Sequence, residues 1–405
     1  MGSKQLQTIM DEGLAERVGF EPTIRFWRIL TFQASAFDHS ATAPHCSGSA
    51  RPSGAGGLPQ GVKGWHKQGM KHTATFAALA LLAAPLAAQA PAKPVALAPG
   101  EIVAAAPATD WTAIAPSDLL IMDLAPDAKA KPRRVVIQLM PAPFSQGWIG
   151  NIRKLAAAQW WNGTSVNRVQ DNYVVQWGDA SEKKVLPAGL AVVPQDQYVA
   201  PYADLSIPII VPLPGESKVV ALERTLGTRR PYVRVRNLRF KFGLDSYESF
   251  VGHTLTGWPV AHDGADVWPV HCYGMVGVGR DLPPNTGTGA ELYTVIGHAP
   301  RHLDRNIALV GRVIEGIEHL SALPRGTGAL GFYETAEERV PIRSVRIASE
   351  METDKPLPKF EYLSTTSKSF SAYAEARANR RDPFFIRPAG GADICNIPVP
   401  VRRAK

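Results

Sequence analysis

Short runs of β-branched and aromatic residues recur along the chain, and no other feature limits the fold as strongly. Turn-forming residues separate these runs, while helical periodicity between 118 and 349 is limited to brief stretches near 144–161 and 314–323. The strand candidates are 118–124, 134–140, 165–169, 173–177, 271–281, 291–298, 307–313 and 340–349. Many short strands with two brief helices predict a mainly β fold, a closed barrel rather than a parallel α/β sheet.

The beginning of the chain has the pattern of an export signal. A short basic region at Lys71 and His72 precedes an apolar stretch from Phe76 to Leu82, and small residues follow. This predicts a signal peptide over 70–90, cleaved near Ala88 or Ala90 and too short to span a bilayer. A buried alanine-rich helix is the alternative. We therefore expect an exported, periplasmic protein without stable membrane insertion.

A signal peptide works only at an N-terminus, so Met70 is expected to be the true start. Residues 1–69, which show no sustained period, would then be a spurious, disordered extension. Residues 91–117 are rich in Ala and Pro and predict a flexible linker.

The remaining chain divides into a core and an extension. Residues 118–349 predict the barrel domain, interrupted at about 181–268 by a Pro-rich insertion with some strand content. Residues 350–405 predict a C-terminal extension with a helix near 367–379.

Charge and cysteine usage limit the classes of partner and compartment. The net charge of +8 is scattered without a stripe of basic and aromatic residues, which indicates a solvated surface rather than nucleic-acid binding. After export, Cys272 and Cys395 would remain, either as a disulfide or as two buried thiols. His298 and His302 lack a third ligand nearby, so we expect no metal.

The segment NRVQDNYVVQWGD, residues 167–179, predicts a hairpin with a cation and an amide on one face. A three-residue loop at Asp171 would place Val166, Arg168, Val174 and Gln176 together, with Tyr173 at the loop end. The alternative is a surface Arg and Gln on the solvated side of an ordinary hairpin.

The order of these motifs resembles a cyclophilin. The hairpin follows a helix that ends in Trp-Asn-Gly, and GMV, TGAELY, HLDRN and VGRVIEG come later, over 118–180 and 271–349. The resemblance implies an eight-stranded closed β-barrel with two capping helices, and an enzyme that isomerises the peptide bond before proline. It implies proline-containing polypeptides as partners and neither a cofactor nor a metal.

Carried over by position, the resemblance implies a set of site residues. Arg168 matches the catalytic Arg and Gln176 the carbonyl-binding Gln. The positions that match the substrate pocket are Tyr173, Val174, Met275, Tyr293, His302 and Leu303.

Three departures alter the pocket rim. His302 occupies the position of the family's Trp and Ile307 that of its His, and the usual Gly-Ser-Gln-Phe-Phe is Gly289 to Tyr293 here. Cyclosporin binding is therefore expected to be weak. A catalytically weak proline-peptide binding module or chaperone is the alternative function, and a third hypothesis is that the insertion docks a partner. We expect a monomer.

Overall fold

Eight antiparallel strands close into a barrel in the computed structural model, which describes residues 95–202, 210–212, 219–221, 247, 250–352 and 357–404. The strands are β2 (Leu119–Leu124), β3 (Arg133–Leu139), β4 (Ser165–Val169), β5 (Val174–Gly178), β12 (Met275–Val278), β13 (Leu292–Val295), β14 (Leu309–Glu315) and β15 (Val340–Ile347). Their order around the barrel is β12-β13-β5-β4-β15-β2-β3-β14, and β14 pairs with β12 to close it. The predicted closed barrel is confirmed.

Alternate residues of these strands fill the barrel interior, as the pleat requires. The core includes Val135, Ile137 and Val276, all almost fully buried, together with the side chains of Trp161 and Trp177. The indole of Trp161 donates to the carbonyl of Ala290 at 2.8 Å, so its polar group is satisfied inside the core.

Two helices lie against the barrel. Helix α2 (Gln146–Ala157) buries Trp148, Ile152 and Leu155, which follow the predicted helical spacing. Helix α3 is a single turn, Glu318–Ser321, shorter than expected because β14 continues to Glu315. Gly316 then turns the chain at φ +83°, with the carbonyl oxygen of Arg134 so close that a Cβ would lie 2.1 Å from it.

The insertion forms a second sheet. Its strands are β6 (Ala200–Pro201), β7 (Ile210–Pro212), β8 (Val219–Ala221), β9 (Phe250–His253), β10 (Pro259–His262) and β11 (Asp266–Pro269), in the order β6-β11-β10-β9-β7-β8. Trp258, Val260 and Trp268 form an apolar cluster with Met140 and Phe144, so the insertion packs on the outside of the barrel.

A third sheet overturns the prediction of a flexible linker over 91–117 for residues 95–117, the part that the structure describes. Pro99–Ala105 forms helix α1, and Trp111–Ile114 forms strand β1, which pairs with β16 (Phe360–Leu363) of the C-terminal extension. Strand β17 (Val401–Arg403) completes this sheet. Burial of Trp111 and Ile114 against the extension orders a segment whose Ala and Pro content is typical of a linker.

The extension also contains helix α4 (Lys368–Ala378), near the predicted position, with Ser367 accepting from the backbone N–H of Phe370 at its N-terminus. A disulfide joins Cys395 of the extension to Cys272, which follows the insertion. Of the two predicted alternatives, a disulfide or two buried thiols, the structure has the disulfide.

The predicted signal peptide and the predicted spurious extension fall outside the described residues. Within the described ranges, every helix is too short or too polar to cross a bilayer.

Candidate active site

Strands β4 and β5 place a cation and an amide opposite each other. Arg168 pairs directly with Gln176, and the register shifts between Val166 and Arg168. Because of this bulge, Val166 points into the barrel core, and the prediction that it shares a face with Arg168 is wrong. Arg168, Val174 and Gln176 face outward from the barrel.

The guanidinium of Arg168 is almost fully buried, at 1% exposure. Its Nη1 donates to Oε1 of Gln176 at 3.2 Å, and its Nε donates to the carbonyl oxygen of Leu330 at 2.9 Å. The charge also lies 5.2 Å from the centre of the Phe332 ring and 5.9 Å from that of Tyr173. These contacts hold the charge in one place and in a partly apolar setting.

An apolar cluster lies beside the guanidinium, at the positions to which the resemblance assigns the substrate pocket. Its buried members are Val174, Tyr293, Val295, Leu303 and Ile307, and Tyr173 packs against them. They come from β5 and the residue before it, from β13, and from the turn at Arg301–Leu303 and the residues just after it. Gly277 of β12 leaves room for one of the rings, because a Cβ there would lie 2.3 Å from the hydroxyl oxygen of Tyr293.

His302 lies at the rim of this pocket. Its ring stacks on Tyr173, with centroids 6.4 Å apart and planes 10° apart. Partial burial lowers the pKa of His302, and the nearby His271 adds to the effect. The lowered pKa favours the uncharged form of this rim imidazole.

Seven of the eight predicted catalytic and substrate-binding residues lie together around this pocket, and Leu303 and His302 lie on one turn of the chain. Met275 is the exception among the predicted substrate-binding positions. Its side chain is buried at 2% exposure in the cluster that contains Trp258 and Leu309, under the insertion. The structure does not bring Met275 together with the pocket.

Residues 326–332 complete the site and were not predicted. Phe332 forms an isolated β-bridge with Arg168, next to the carbonyl of Leu330 that the guanidinium binds. Gly331, at φ +79°, allows this close approach, since a Cβ there would lie 2.6 Å from the Cα of Gln170. The glycine-rich sequence RGTGALGF was the available signal.

A groove of about 750 Å³ extends from the amide of Gln176 along the barrel surface. Asn167, Phe332 and Glu291 line it, together with the charged pair of neighbours Arg280 and Asp281. Its size and mixed polarity suit several residues of an extended polypeptide.

A closed antiparallel barrel with an Arg and a Gln across one hairpin, beside an apolar pocket, defines the cyclophilin class of proteins. The family model for cyclophilin type peptidyl-prolyl cis-trans isomerases matches residues 134–350, and the chain belongs to this family. Its activity is isomerisation of the bond that precedes proline.

A solved structure agrees on the fold. A cyclophilin from Hirschia baltica, AquaCyp293, is 19% identical, covers 73% of this chain and 94% of its own, and has a TM-score of 0.50. A cyclophilin type isomerase from Cryptosporidium parvum, crystallised in the presence of the dipeptide Ala-Pro, is 9% identical over 56% of this chain and 98% of its own, with a TM-score of 0.29. No curated protein matched the chain.

Proposed function

We propose that the pocket beside Arg168 binds a proline ring and accelerates rotation about the bond that precedes it. Rotation of a peptide bond has a barrier of about 18–20 kcal/mol. The cis and trans forms before proline differ by only about 0.5–1 kcal/mol, so the obstacle is kinetic. The protein has to bind the twisted bond better than either planar form, and no covalent bond is broken.

Each side chain has a role that follows from its chemistry. In the twisted state the prolyl nitrogen becomes pyramidal and gains a lone pair, which a guanidinium N–H can meet. A guanidinium carries five N–H donors, so Arg168 can keep its protein partners and still donate to the substrate. The amide N–H groups of Gln176 are donors suited to a substrate carbonyl, and Tyr173, Val174, Tyr293 and Leu303 would hold the ring.

The observation that carries this proposal is the position of Arg168. Its guanidinium lies 3.2 Å from the amide oxygen of Gln176 and beside the apolar cluster of Val174 and Tyr293. Donors fixed before the substrate arrives stabilise a developing charge without reorganisation. A thousandfold acceleration requires about 4 kcal/mol, which one fixed charged donor in a dry pocket can supply.

One observation favours a second candidate, a proline-peptide binding module with little catalysis. Arg168 is 1% exposed, and its Nε donates to Leu330 of the segment over the hairpin. A substrate has to reach the guanidinium past this segment. Binding of proline peptides without faster isomerisation would identify this second function.

The clients we propose are unfolded or folding polypeptides in the compartment outside the cytoplasm. The signal-like segment 70–90 and the disulfide between Cys272 and Cys395 support this location, because disulfides persist in oxidising compartments. Expression of the full chain in a bacterium with a periplasm tests it. We expect a periplasmic product that starts after Ala88 or Ala90, whereas an unprocessed cytoplasmic product would contradict export.

We further propose that the protein works as a monomer, because one chain supplies every side chain of the pocket. Sedimentation equilibrium at assay concentrations measures this. Activity confined to a dimeric fraction would contradict it.

The isomerisation assay follows cis-to-trans conversion of a short Xaa-Pro peptide without a coupled protease. We expect the full chain to accelerate conversion and Arg168→Ala to lose at least about tenfold in kcat/KM, or about 1.4 kcal/mol. Arg381→Ala is the matched control, because that side chain is 60% exposed in the C-terminal extension. Equal activity of the two variants would contradict the role of Arg168.

A further inference from the structure

Four buried side chains form a chain of hydrogen bonds that starts at Tyr293 in the pocket and continues through three residues to which the proposed function gives no role. The hydroxyl of Tyr293 lies 2.9 Å from Nε2 of His271. Nδ1 of His271 lies 2.8 Å from one carboxylate oxygen of Asp304, and the Nε of Arg301 donates to the other at 2.6 Å. The series connects the pocket to the base of the insertion.

Burial makes these contacts specific. His271 and Tyr293 are 0% exposed and Arg301 and Asp304 at most 7%, so each polar atom depends on its partners within the protein. The backbone N–H of His271 also donates to Asp304, at 2.9 Å. A carboxylate can only accept, which assigns the proton to Nδ1 of His271 and leaves Nε2 to accept from the Tyr293 hydroxyl.

The series fixes two sides of the pocket relative to each other. Tyr293 belongs to β13 and its ring is one side of the apolar cluster. Asp304 directly follows Leu303, which is another member of that cluster. His271 contacts both Tyr293 and Asp304, so one imidazole sets the position of the ring against the turn that carries Leu303.

The hydroxyl is a departure from the Phe usual at this position, and the surrounding residues accommodate it. Gly277 provides space against the hydroxyl oxygen, and the rings of His271 and Tyr293 stack with planes 9° apart. A phenylalanine would need no polar partner, whereas a buried tyrosine hydroxyl does.

We propose that His271, oriented by Asp304, is a positioning residue that holds the Tyr293 ring in the proline pocket. This inference rests on the proposed function, since it concerns the grip on the substrate's proline. Neither His271 nor Asp304 touches the substrate. Tyr293 contacts the proline ring of the substrate in the ground state and in the transition state alike. Loss of this contact therefore raises KM and leaves kcat nearly unchanged.

A double-mutant cycle tests the coupling in the full chain. We expect Tyr293→Phe and His271→Leu each to raise KM by about three- to tenfold, the effect of one neutral hydrogen bond. The double variant should show no further rise, because both changes remove the same contact. His271→Gln retains an amide oxygen near the position of Nε2 and should recover part of the lost affinity. His262→Leu, a histidine buried in the insertion sheet, is the control and should leave KM unchanged.

A second readout does not depend on activity. In protein labelled with ring-¹³C tyrosine, slow flipping gives two separate signals for the ε carbons of Tyr293, and fast flipping averages them. We expect separate signals in the unsubstituted protein and averaged signals in His271→Leu. Asp304→Asn, which keeps the shape of the side chain, should shift the same signals and serves if the Leu variant does not fold.

The outcomes separate the two proposals. Absence of isomerisation by the unsubstituted protein would overturn the proposed function. If His271→Leu folds and is less stable but keeps the native KM and ring signals, His271 has only a structural role and the positioning role is overturned. Increases in KM that add up in the double variant would also overturn it.

Discussion

Arg168 is a desolvated cation whose position is set by its neighbours. Removal of a guanidinium from water is unfavourable, and this cost is offset by hydrogen bonds to Gln176 and Leu330 and by the nearby ring of Phe332. A lysine would bring the charge but not the planar fork that reaches these acceptors together. The residue type therefore matters as much as the charge.

We expect the rim residue His302 to set the affinity for large apolar ligands. We expect weak binding of cyclosporin by the native protein and binding at least about tenfold tighter by His302→Trp, because an indole adds apolar area and an N–H donor. The larger ring can stack on Tyr173 as the imidazole does. Isothermal titration calorimetry measures both affinities.

His298→Trp is the control for this substitution, since His298 is exposed and lies just before the same turn. It should leave the affinity unchanged. Equal tightening by both variants would mean that a nonspecific aromatic surface, rather than the rim position, determines binding.

At the residue scale, the alternation of side chains along a strand is a local property. The sequence therefore predicted that Arg168, Val174 and Gln176 share one face of the hairpin. It could not predict the bulge that moves Val166 into the core, since a bulge depends on the register of β4 with β5. The role of residues 326–332 could not be predicted from the sequence either, because the contact between Leu330 and Arg168 joins residues 162 positions apart.

At the element scale, one histidine connects the insertion to the C-terminal extension. His253 of β9 donates from Nε2 to the carbonyl of Ile397 at 3.0 Å and packs edge-on against Phe370 of α4. Complete burial lowers the pKa of His253 to about 4, with the charge of Arg312 acting in the same direction. The native protein therefore holds this imidazole neutral.

This linkage predicts a loss of stability in acid. Below pH 6.5 the unfolded chain binds a proton at His253 that the native protein does not bind until about pH 4. The stabilisation is complete above pH 6.5 and declines as the pH falls toward 4, by up to about 1.4 kcal/mol per pH unit. Between pH 7 and 5 we expect the native protein to lose about 2 kcal/mol more than His253→Gln, which keeps an N–H donor.

Urea unfolding at a series of pH values measures this difference. The control is His319→Gln, a partly exposed histidine of α3, which should follow the pH dependence of the native protein. Parallel pH profiles of the native protein and His253→Gln would contradict the account.

The elements that the sequence predicted well are those with local signals. The apolar spacing of α2 indicated that helix, and the segment 367–379 was predicted as a helix where α4 forms. Strand β1 was missed because its partner, β16, lies about 250 residues away, and four residues between alanines and prolines carry little propensity of their own. Long-range pairing, rather than composition, orders that segment.

At the scale of the whole molecule, the disulfide joins the extension to the base of the insertion. Cys272 and Cys395 are 123 residues apart, so the bond restricts a long loop of the unfolded chain. In the chain-entropy model a loop of this length corresponds to about 4–5 kcal/mol. Cys272 also adjoins His271, so the bond lies next to the buried series that ends in the pocket.

We expect the double variant Cys272→Ser, Cys395→Ser to unfold at lower urea concentration, with a loss of about 2–5 kcal/mol. Reducing agent should destabilise the native protein to a similar extent and leave the double variant unaffected. Unchanged stability of both under reduction would mean that the bond does not restrict the unfolded chain.

The most direct test of the central claim measures exchange and binding in one experiment. NMR exchange spectroscopy on a single Xaa-Pro peptide gives the cis–trans rate, and its chemical shifts give the affinity. With the full native chain we predict fast exchange, and with Arg168→Lys we predict retained binding but exchange slowed at least about tenfold, because the fork that meets the prolyl nitrogen is lost. Exchange as fast with Arg168→Lys and Arg168→Ala as with the native chain would contradict the claim that this guanidinium stabilises the twisted bond.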